Sequence, residues 1–309
     1  MASCLVLGGG GFIGSHLAEA LLSAGHRVRL FERPHLMALT APATAAKAEI
    51  VTGDFLNYGD LARALSGIEV VFHLISTTLP KPSNDNPVYD VETNLVGSLR
   101  LLELCRAHRV RKVVFSSSGG TVYGVPATVP IAEAHPTEPL CSYGIQKLAI
   151  EKYLQLEHAL HGLDYCILRP SNPYGERQRT DVAQGAIAVF LERALRGEPI
   201  EIWGDGSVVR DYVYVGDVAE AFVRAVSYEG AQRVFNVGSG TGTSLKELIE
   251  KIGALLGRKP AVDYRPARRV DVPINVLDSS AAARHLGWRA RTPLAQGLQR
   301  TCDWMRAAR

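Results

Sequence analysis

The sequence has few cysteines for its length, and their arrangement does not suggest a disulfide framework. Five cysteines occur among 309 residues, and no two of them form a C-x-x-C pair. An odd number without paired spacing favours a reducing compartment. The chain also starts directly with an apolar segment and has no basic stretch or small-residue cleavage site there. We therefore expect a cytoplasmic protein without a signal peptide.

Excess charge of one sign and long hydrophobic runs are also missing. Lysine and arginine number 34 against 31 acidic residues, a formal net charge of +3, which is too small and dispersed to indicate nucleic acid or an anionic membrane. No apolar run approaches the ~18 residues of a membrane span. Hydrophobic residues nevertheless make up 47% of the chain, enough for a large nucleotide-binding domain and a smaller second one.

What is present is a regular alternation of strand-like and helix-like segments. Short apolar, β-branched runs occur at 4–8, 27–32, 48–54, 70–75, 112–118 and 164–170. Helical patterns lie between them at 12–24, 58–66, 88–108 and 143–161. Continuous apolar strands alternating with helices indicate an α/β fold with a doubly wound parallel sheet, covered on both faces.

The regular alternation of strand-like and helix-like segments ends after Pro170, where a loop rich in proline, asparagine and arginine begins. Later segments, "YVYV" and "RVFNVG", are expected to return to the sheet, with a helix at 217–227 between them. We predict a nucleotide-binding domain over 1–170 with returning segments at about 208–238. Residues 171–207 and 239–309 are then a smaller, interleaved α/β substrate domain.

A glycine-rich turn, "GGGGFIG", follows the first strand and opens the first helix. Gly8, Gly11 and Gly14 have the spacing G-x-x-G-x-x-G, and Gly9, Gly11 and Gly14 have the spacing G-x-G-x-x-G. Glycine lets the backbone turn tightly and approach a pyrophosphate while helix N–H groups face the anion. The strand–turn–helix context predicts a Rossmann-type dinucleotide site.

Two carboxylates end the next two strands. Glu32 lies 18 residues after Gly14, where a carboxylate accepts hydrogen bonds from the adenosine ribose and repels a 2′-phosphate, which favours NAD over NADP. Arg33, directly after it, weakens that preference. Asp54, in "TGDF", is a candidate contact for the adenine amino group, and a turn cap is an equally good interpretation.

The segment "CSYGIQK" places Tyr143 and Lys147 four residues apart in a helical pattern. Side chains at i and i+4 share one face of a helix, so the phenol and the ammonium could act together. The same spacing occurs by chance in many proteins. His158 and His161 lie on the same helical pattern, but no carboxylate or thiol cluster completes a ligand set, so no metal site is predicted.

Taken in order along the chain, these and other motifs resemble the extended short-chain dehydrogenase/reductase superfamily. More narrowly, they resemble its UDP-galactose 4-epimerase-like nucleotide-sugar epimerases. The resemblance covers nearly the whole chain, through "GGGGFIGSHL", "GDFLN", "VFHL", "VETNLVGSLRLLE", "VRKVVFSSS", "SYGIQKLAIE", "LRPSNPYG", "VVRDYVYVGDVAEA", "FNVGSG" and "RRVDVP".

The resemblance implies that Tyr143 is the acid–base and that Lys147 binds the nicotinamide ribose and lowers the phenol pKa. A free tyrosine titrates near ~10, and a nearby ammonium and oxidised nicotinamide would both favour phenolate. The third catalytic group is a hydroxyl. Counting forward from "VRKVVF" puts it at Ser118, with Ser117 and Thr121 as alternatives, because this chain has an extra glycine in the loop.

Further site residues are implied by the same resemblance. For NAD they are Gly8, Gly11, Phe12, Ile13, Gly14, Glu32, Asp54, Phe55, Leu74, Asn94, Tyr143 and Lys147. For a UDP-sugar they are Ser118, Tyr143, Asn172, Arg210, Arg268, Asp271 and Asn275. Asn94 could equally tie two backbone segments together, and Arg210, Arg268 and Asp271 could form structural ion pairs.

Within the superfamily, the resemblance favours C4 epimerisation of a UDP-sugar through a 4-keto intermediate. Related dehydratases carry Asp-Glu before "VYG", whereas this chain has Gly119-Gly120-Thr121. The alternatives are another NAD-dependent nucleotide-sugar enzyme, a 4,6-dehydratase or reductase, or a non-catalytic NAD-binding sensor.

The range of sugar substituents that the site accepts and the oligomeric state are also inferred from relatives. Asn275 stands where strict glucose/galactose enzymes have tyrosine, so an N-acetylhexosamine or uronic acid form is expected to fit. Arg177 and Arg179 lie in the substrate-side loop and could meet a C6 carboxylate, but solvated loop arginines are the favoured interpretation. Relatives pair through helices that correspond to 88–108 and 143–161, which predicts a homodimer.

Overall fold

The computed structural model describes residues 1–39, 41–80, 82–180, 185–267 and 272–308. The strands are β1 (Ser3–Leu7), β2 (Arg27–Glu32), β3 (Glu49–Thr52), β4 (Val70–His73), β5 (Lys112–Ser116), β6 (Asp164–Pro170), β7 (Asn172–Tyr174), β8 (Ile200–Trp203), β9 (Val209–Tyr214), β10 (Val234–Val237), β11 (Gly242–Ser244), β12 (Val262–Arg265) and β13 (Ile274–Asn275). The α-helices are α1 (Phe12–Ser23), α2 (Pro42–Ala45), α3 (Tyr58–Leu65), α4 (Pro87–Asp90), α5 (Gly97–Ala107), α6 (Ser142–His161), α7 (Ala186–Arg196), α8 (Val215–Ala225), α9 (Leu245–Leu256) and α10 (Leu294–Ala307).

The large sheet is parallel throughout and has the strand order β3-β2-β1-β4-β5-β6-β10. The strand order reverses between β1 and β4, which opens a crevice at their carboxyl ends. This arrangement confirms the predicted doubly wound α/β fold.

Helices cover both faces of this sheet because its central strands are apolar on both sides. On one face α1 and α8 contribute Leu17 and Phe222 to a core that also contains Trp288. On the other face α3, α5 and α6 contribute residues such as Leu101 and Leu154. Every residue of β1 is buried, which explains why the strand has no polar alternation.

A smaller lobe has its own core and sheets. Strand β9 pairs with β7, β11 and β13, while β8 and β12 form a two-stranded sheet. Its core includes Phe190, Ile202, Leu248 and Leu298.

The strand that contains "YVYV" was expected to return to the large sheet, and that expectation was wrong. It forms part of β9, whose residues pair within the small sheet instead. By contrast, "RVFNVG" contains β10 and does join the large sheet beside β6. Both segments are short, apolar and β-branched, so local pattern cannot distinguish their partners.

The helix expected over 88–108 is interrupted. Helix α4 ends at Asp90, a π-helical turn spans Val91–Val96, and α5 follows. The Asn94 side chain donates to the Asp90 carbonyl at 3.1 Å, the oxygen that an ordinary α-helical N–H would use. Such π-turns are frequent at functional sites. Within the described ranges, no helix is both long and apolar enough to cross a bilayer.

Candidate active site

Tyr143 and Lys147 lie together on the first turns of α6. The Lys147 Nζ atom is 5.5 Å from the centroid of the Tyr143 ring and 4.8 Å from that of Phe115. It donates a hydrogen bond to the Ser116 carbonyl at 2.9 Å. Lys147 is buried and Tyr143 is half-buried. The helix therefore places the phenol and the ammonium at the carboxyl end of β5.

The start of α6 is held by a buried carboxylate that sequence reasoning missed. Asp90 is fully buried and accepts hydrogen bonds from Ser142 Oγ at 2.6 Å and from Asn94 Nδ2 at 2.9 Å. The Tyr143 N–H donates to Ser83 Oγ at 3.0 Å. Asp90 lies four residues before Asn94, a same-face spacing that could have identified it.

The pKa values of the pair differ from the expectation. Burial, with Cys141 and Asp90 nearby, raises the pKa of the Tyr143 phenol above its ordinary value. Burial lowers the pKa of Lys147 to about 8, although Asp90 and Glu151 act in the opposite direction. Burial thus opposes ionisation of the Tyr143 phenol, and a positive charge beside the ring acts in the opposite direction.

Three hydroxyls were candidates for the third catalytic group. Ser117 Oγ points inward and donates to Glu151 Oε1 at 2.5 Å. Ser118 is half-buried, and its carbonyl accepts from the Thr121 and Val122 N–H groups. The Thr121 Oγ1 atom is buried without a hydrogen-bond partner in the described part of the chain. This geometry disfavours Ser117 and leaves Ser118 and Thr121.

The glycine turn fits a dinucleotide phosphate. Gly8 has a φ of +90°, and a Cβ at Gly14 would lie 2.0 Å from the Gly8 carbonyl oxygen. Helix α1 starts at Phe12 and Ile13 after Gly11, and no side chain caps it. Its first N–H groups therefore face the turn without a side-chain acceptor, as an anion site requires.

The carboxylates after β2 and β3 are neighbours. Glu32 is buried, burial raises its pKa, and its Oε1 accepts from the Arg33 N–H at 2.9 Å. The Arg33 guanidinium contacts Asp54 Oδ2 at 3.2 Å, and Asp54 Oδ1 accepts from the Leu56 N–H. Arg33 is thus paired with Asp54, in a half-exposed ion pair beside Glu32.

The remaining predicted cofactor residues, Leu74, Phe55 and Asn94, lie on segments that follow β4 and β3 or on the π-helical turn before α5. Leu74 follows β4 and donates its N–H to the Leu7 carbonyl at 3.1 Å. Phe55 is buried against Gly97, where a Cβ would approach its ring to 2.6 Å. Asn94 Oδ1 accepts from the Thr77 N–H at 2.8 Å. Asn94 therefore ties the segment after β4 to α4, the framework role considered from the sequence.

A cleft of about 410 Å³ lies in the smaller lobe. Asn172 and Arg210 both line it, with Tyr174, Phe190, Trp203 and Tyr212. Asn172 Nδ2 donates to the Asp211 carbonyl at 3.0 Å, and Arg210 Nη1 donates to the Val272 carbonyl at 2.8 Å. Arg268 and Asp271 lie outside the described residues.

Asn275 links the smaller lobe to the loop of Ser118. It is buried, and its Nδ2 donates to the Gly119 carbonyl at 3.0 Å. Its Oδ1 is buried without a partner among the residues that the structure describes. That oxygen can accept a hydrogen bond from a bound molecule.

The idea that Arg177 meets a substrate carboxylate is not supported. Its guanidinium forms a two-pronged ion pair with Glu19 of α1, at 2.6 and 3.0 Å. A guanidinium already paired with one carboxylate through both prongs has little capacity for a second. Arg179 is exposed.

Comparison with known proteins gives a consistent family assignment. Residues 4–238 match the NAD dependent epimerase/dehydratase family. The chain is 39% identical over 307 residues to a UDP-glucose 4-epimerase of Mycolicibacterium smegmatis, and the match covers 98% of both chains.

Solved structures agree over the whole fold. A Thermotoga maritima UDP-glucose 4-epimerase, determined with UDP-glucose, superimposes with a TM-score of 0.93 at 36% identity, covering 99% of both chains. A UDP-N-acetylglucosamine 4-epimerase from Methanobrevibacter ruminantium, in complex with UDP-N-acetylmuramic acid, gives 0.93 at 29% identity, covering 100% of this chain and 99% of that one.

Proposed function

Since the chain belongs to the NAD-dependent epimerase/dehydratase family, we propose that it is an isomerase that inverts C4 of a UDP-sugar through a transient 4-keto intermediate. The Tyr143–Lys147 pair at the carboxyl end of β5 is the observation that carries this proposal. Full-length relatives with 4-epimerase names support it. NAD is the cofactor.

In this proposal Tyr143 takes the proton of the sugar 4-hydroxyl and returns it when the 4-keto sugar is reduced on its other face. Bound NAD supplies the oxidising power at C4 and a positive charge near the phenol. Lys147 adds a second positive charge, and both lower a phenol pKa that burial raises. Ser118 donates a hydrogen bond to the reacting sugar oxygen, with Thr121 as the alternative.

The chain's own groups are suited to holding NAD. The turn with Gly8, Gly11 and Gly14, with Phe12 and Ile13, takes the pyrophosphate. Glu32 accepts from the adenosine ribose, and the Arg33–Asp54 pair supports a preference for NAD over NADP. Further contacts are assigned to Asp54, Phe55, Leu74 and Asn94.

The smaller lobe holds the nucleotide. Asn172 and Arg210 in its cleft bind the diphosphate, since an arginine fork suits phosphate oxygens. Arg268 and Asp271 remain predicted partners of the uridine side. Asn275 lies against the loop of Ser118, and its acceptor oxygen suits an acetamido N–H or a hydroxyl at C2. We therefore assign UDP-glucose/galactose and their N-acetylated forms as the substrate class.

Assembly as a homodimer is part of the proposal. An exposed apolar stripe runs along α6 through Ile145, Tyr153, Leu156 and Leu160. Val88 and Val91, at and just after α4, are exposed as well. A two-fold pairing of these helices would bury both sets, and it is the commonest oligomer symmetry.

Location and domain division complete the proposal. The free cysteines and balanced charge are consistent with the cytoplasm. The cofactor domain is assigned to 1–170 and the substrate domain to 171–207 and 239–309. For the segment 208–238, α8 and β10 belong with the large sheet, whereas β9 supports the smaller one.

A panel of UDP-sugars tests the function. Purified protein is incubated with UDP-glucose, UDP-galactose and their N-acetylated forms, and products are separated by chromatography while NADH absorbance is followed. An epimerase interconverts a C4 pair without net NADH. A 4,6-dehydratase would release a product lighter by one water, a reductase would consume reduced cofactor, and a sensor would leave every sugar unchanged.

A further inference from the structure

The segment Ser117–Tyr123, the catalytic loop, contains two glycines and the proposed Ser118 hydroxyl. Glycines 119 and 120 carry no side chains that could hold the loop by packing. Efficient catalysis nevertheless requires that Ser118 and Tyr143 keep a fixed separation, because a misplacement of about 1 Å can cost roughly 10²-fold in rate. Something else in the structure must therefore fix the loop.

Both ends of the catalytic loop are attached to one buried ion pair. Arg169 of β6 binds Glu151 of α6 through Nε to Oε1 at 2.9 Å and through Nη2 to Oε2 at 2.5 Å. At the start of the loop, Ser117 Oγ donates to Glu151 Oε1 at 2.5 Å. At its end, Tyr123 Oη accepts from Arg169 Nη1 at 2.8 Å.

The same ion pair is attached to the helix that carries the proposed acid–base. Glu151 lies one turn after Lys147 on α6, and Lys147 Nζ binds the Ser116 carbonyl. Two successive turns of one helix face therefore hold two successive residues, Ser116 at the end of β5 and Ser117 directly after it.

The next residue is Ser118. Backbone hydrogen bonds from the Ser117 N–H to the Leu168 carbonyl and from the Gly119 N–H to the Pro170 carbonyl, both 2.8 Å, hold it to β6. The contacts of Lys147 and Glu151 add the link to the helix of Tyr143.

Burial indicates what this arrangement contributes. Glu151 and Tyr123 have no exposed surface and Arg169 is 5% exposed. A buried ion pair is weak evidence for stability, because desolvation of both charges offsets their attraction. A two-pronged guanidinium–carboxylate contact, however, fixes distance and orientation. Positioning is thus the role that this geometry serves best.

We propose that Glu151, Arg169 and Ser117 are positioning residues that hold the Ser118 hydroxyl against the sugar oxygen that Tyr143 deprotonates. This inference rests on the proposed function. None of the three touches substrate, and each acts through the catalytic loop or α6.

A double-mutant cycle tests the inference. Ser117→Ala removes one hydroxyl while the backbone stays, and we expect kcat to fall about 10-fold with KM within about 2-fold, because positioning acts on the transition state. In a Ser118→Ala background, Ser117→Ala should then cost less than about 2-fold, because the group it positions is gone. Equal losses in both backgrounds, or no loss from Ser117→Ala, would overturn the inference.

A matched control separates positioning from general loosening. Thr301 Oγ1 donates to the Gly297 carbonyl at 2.7 Å in a fully buried part of α10. Thr301→Val also removes one buried hydroxyl, and it should leave kcat unchanged. A 10-fold loss in this control as well would mean that any buried hydroxyl matters, which contradicts the inference.

A pH profile gives an independent readout. The Glu151 charge is one of the groups that raise the pKa of Lys147, so Glu151→Gln should move the alkaline limb of kcat to lower pH. An unshifted limb would contradict a link between Glu151 and Lys147. Should Glu151→Gln not fold, Ser117→Ala still decides. An inactive wild type would overturn the proposed function and the inference together, whereas an active wild type with equal losses overturns only the inference.

Discussion

Strands β5 and β6 lie side by side, and an ion pair lies at each end of them, partly exposed at the amino ends and buried at the carboxyl ends. At their amino ends, Lys112 Nζ lies 3.1 Å from Asp164 Oδ2 and also donates to the Ala225 and Tyr228 carbonyls. At their carboxyl ends, Arg169 binds Glu151. The first cluster joins α8 to the sheet, whereas the second holds the catalytic loop and α6.

Chemistry is assigned to the carboxyl end because its cluster is attached to the catalytic loop and to α6, the helix of Tyr143 and Lys147. Buried polar atoms without partners among the described residues occur at both ends, as Thr121 Oγ1 in the catalytic loop and as the Oη atom of Tyr228, the residue whose carbonyl accepts from Lys112. A buried polar atom without a partner is costly unless a ligand or water satisfies it. If the proposed positioning role holds, the comparison teaches that ion pairs at the two ends of the same parallel strands differ in role according to which elements they attach.

The largest expected loss of turnover comes from a substitution at the carboxyl end of β5, where Tyr143 lies. Tyr143→Phe keeps the ring but removes the proton acceptor, and turnover should fall at least ~10²-fold, the usual scale for a lost general acid–base. Steady-state kinetics with the preferred UDP-sugar measures it, with bound NAD and the unfolding midpoint as controls. Wild-type turnover in this variant would remove Tyr143 from the mechanism.

At the amino ends of β5 and β6, we expect a substitution to change the stability of the protein and not its turnover. Asp164→Asn leaves the buried Lys112 charge without its carboxylate and also removes the partner of Arg233. Because Asp164 is partly exposed, we expect the free energy of unfolding to fall by about 1–2 kcal/mol, less than for a fully buried pair. Urea unfolding measures this change. Turnover of the folded variant should stay within about 2-fold of wild type, and a large drop in kcat would erase the distinction between the two ends.

Much of this organisation could be predicted from sequence, and the failures have a common cause. The strands β1–β6, the glycine turn and the shared helix of Tyr143 and Lys147 follow from local apolar patterns and spacing. The pairing of β9, the Glu19–Arg177 ion pair and the attachment of the catalytic loop to Glu151 join residues far apart in sequence. Local patterns do not encode such partners.

The π-turn before α5 and the raised phenol pKa could not be predicted for a related reason. The Asp90 carbonyl receives the Asn94 side chain in the π-turn. The pKa of Tyr143 is raised mainly by burial of the phenol, and Cys141 and the buried Asp90 carboxylate add to it. Sequence shows an acidic residue in a helical pattern, which is normally exposed. Only the folded packing reveals that it is buried.

A smaller effect should appear in substrate choice. Asn275→Tyr adds bulk beside the catalytic loop, and it should lower kcat/KM for UDP-GlcNAc about 10-fold more than for UDP-glucose, since a misfit in a pocket costs about 1–3 kcal/mol. Asn275→Ser is the matched control, because it also loses the Gly119 contact without adding bulk. Equal losses for both sugars in Asn275→Tyr would mean that Asn275 does not border the C2 substituent.

The smallest effect is a pH dependence of stability in protein stripped of cofactor. Folded Lys147 releases its proton near pH 8, whereas the unfolded lysine keeps it up to its ordinary pKa. At Lys147 the unfolded state therefore binds more protons in this window, which contributes a rise of about 1.5 kcal/mol in the free energy of unfolding between pH 8 and 9.5. Burial raises the pKa of four thiols, which act in the opposite direction, so the Lys147 contribution is measured as the difference in slope between the wild type and Lys147→Met. Lys147→Met should lack this rise. The same slope in both proteins would mean that Lys147 titrates normally.

The central claim is that a hydrogen leaves C4 and returns to its other face within the protein, while Tyr143 handles only the hydroxyl proton. Turnover in deuterium oxide, followed by mass spectrometry of the recovered UDP-sugars, tests this most directly. We predict that the C4 epimer forms without deuterium on any carbon, because the hydrogen at C4 never exchanges with solvent. Deuterium at C4 or at a neighbouring carbon would show that a proton is removed from carbon, and it would contradict the account.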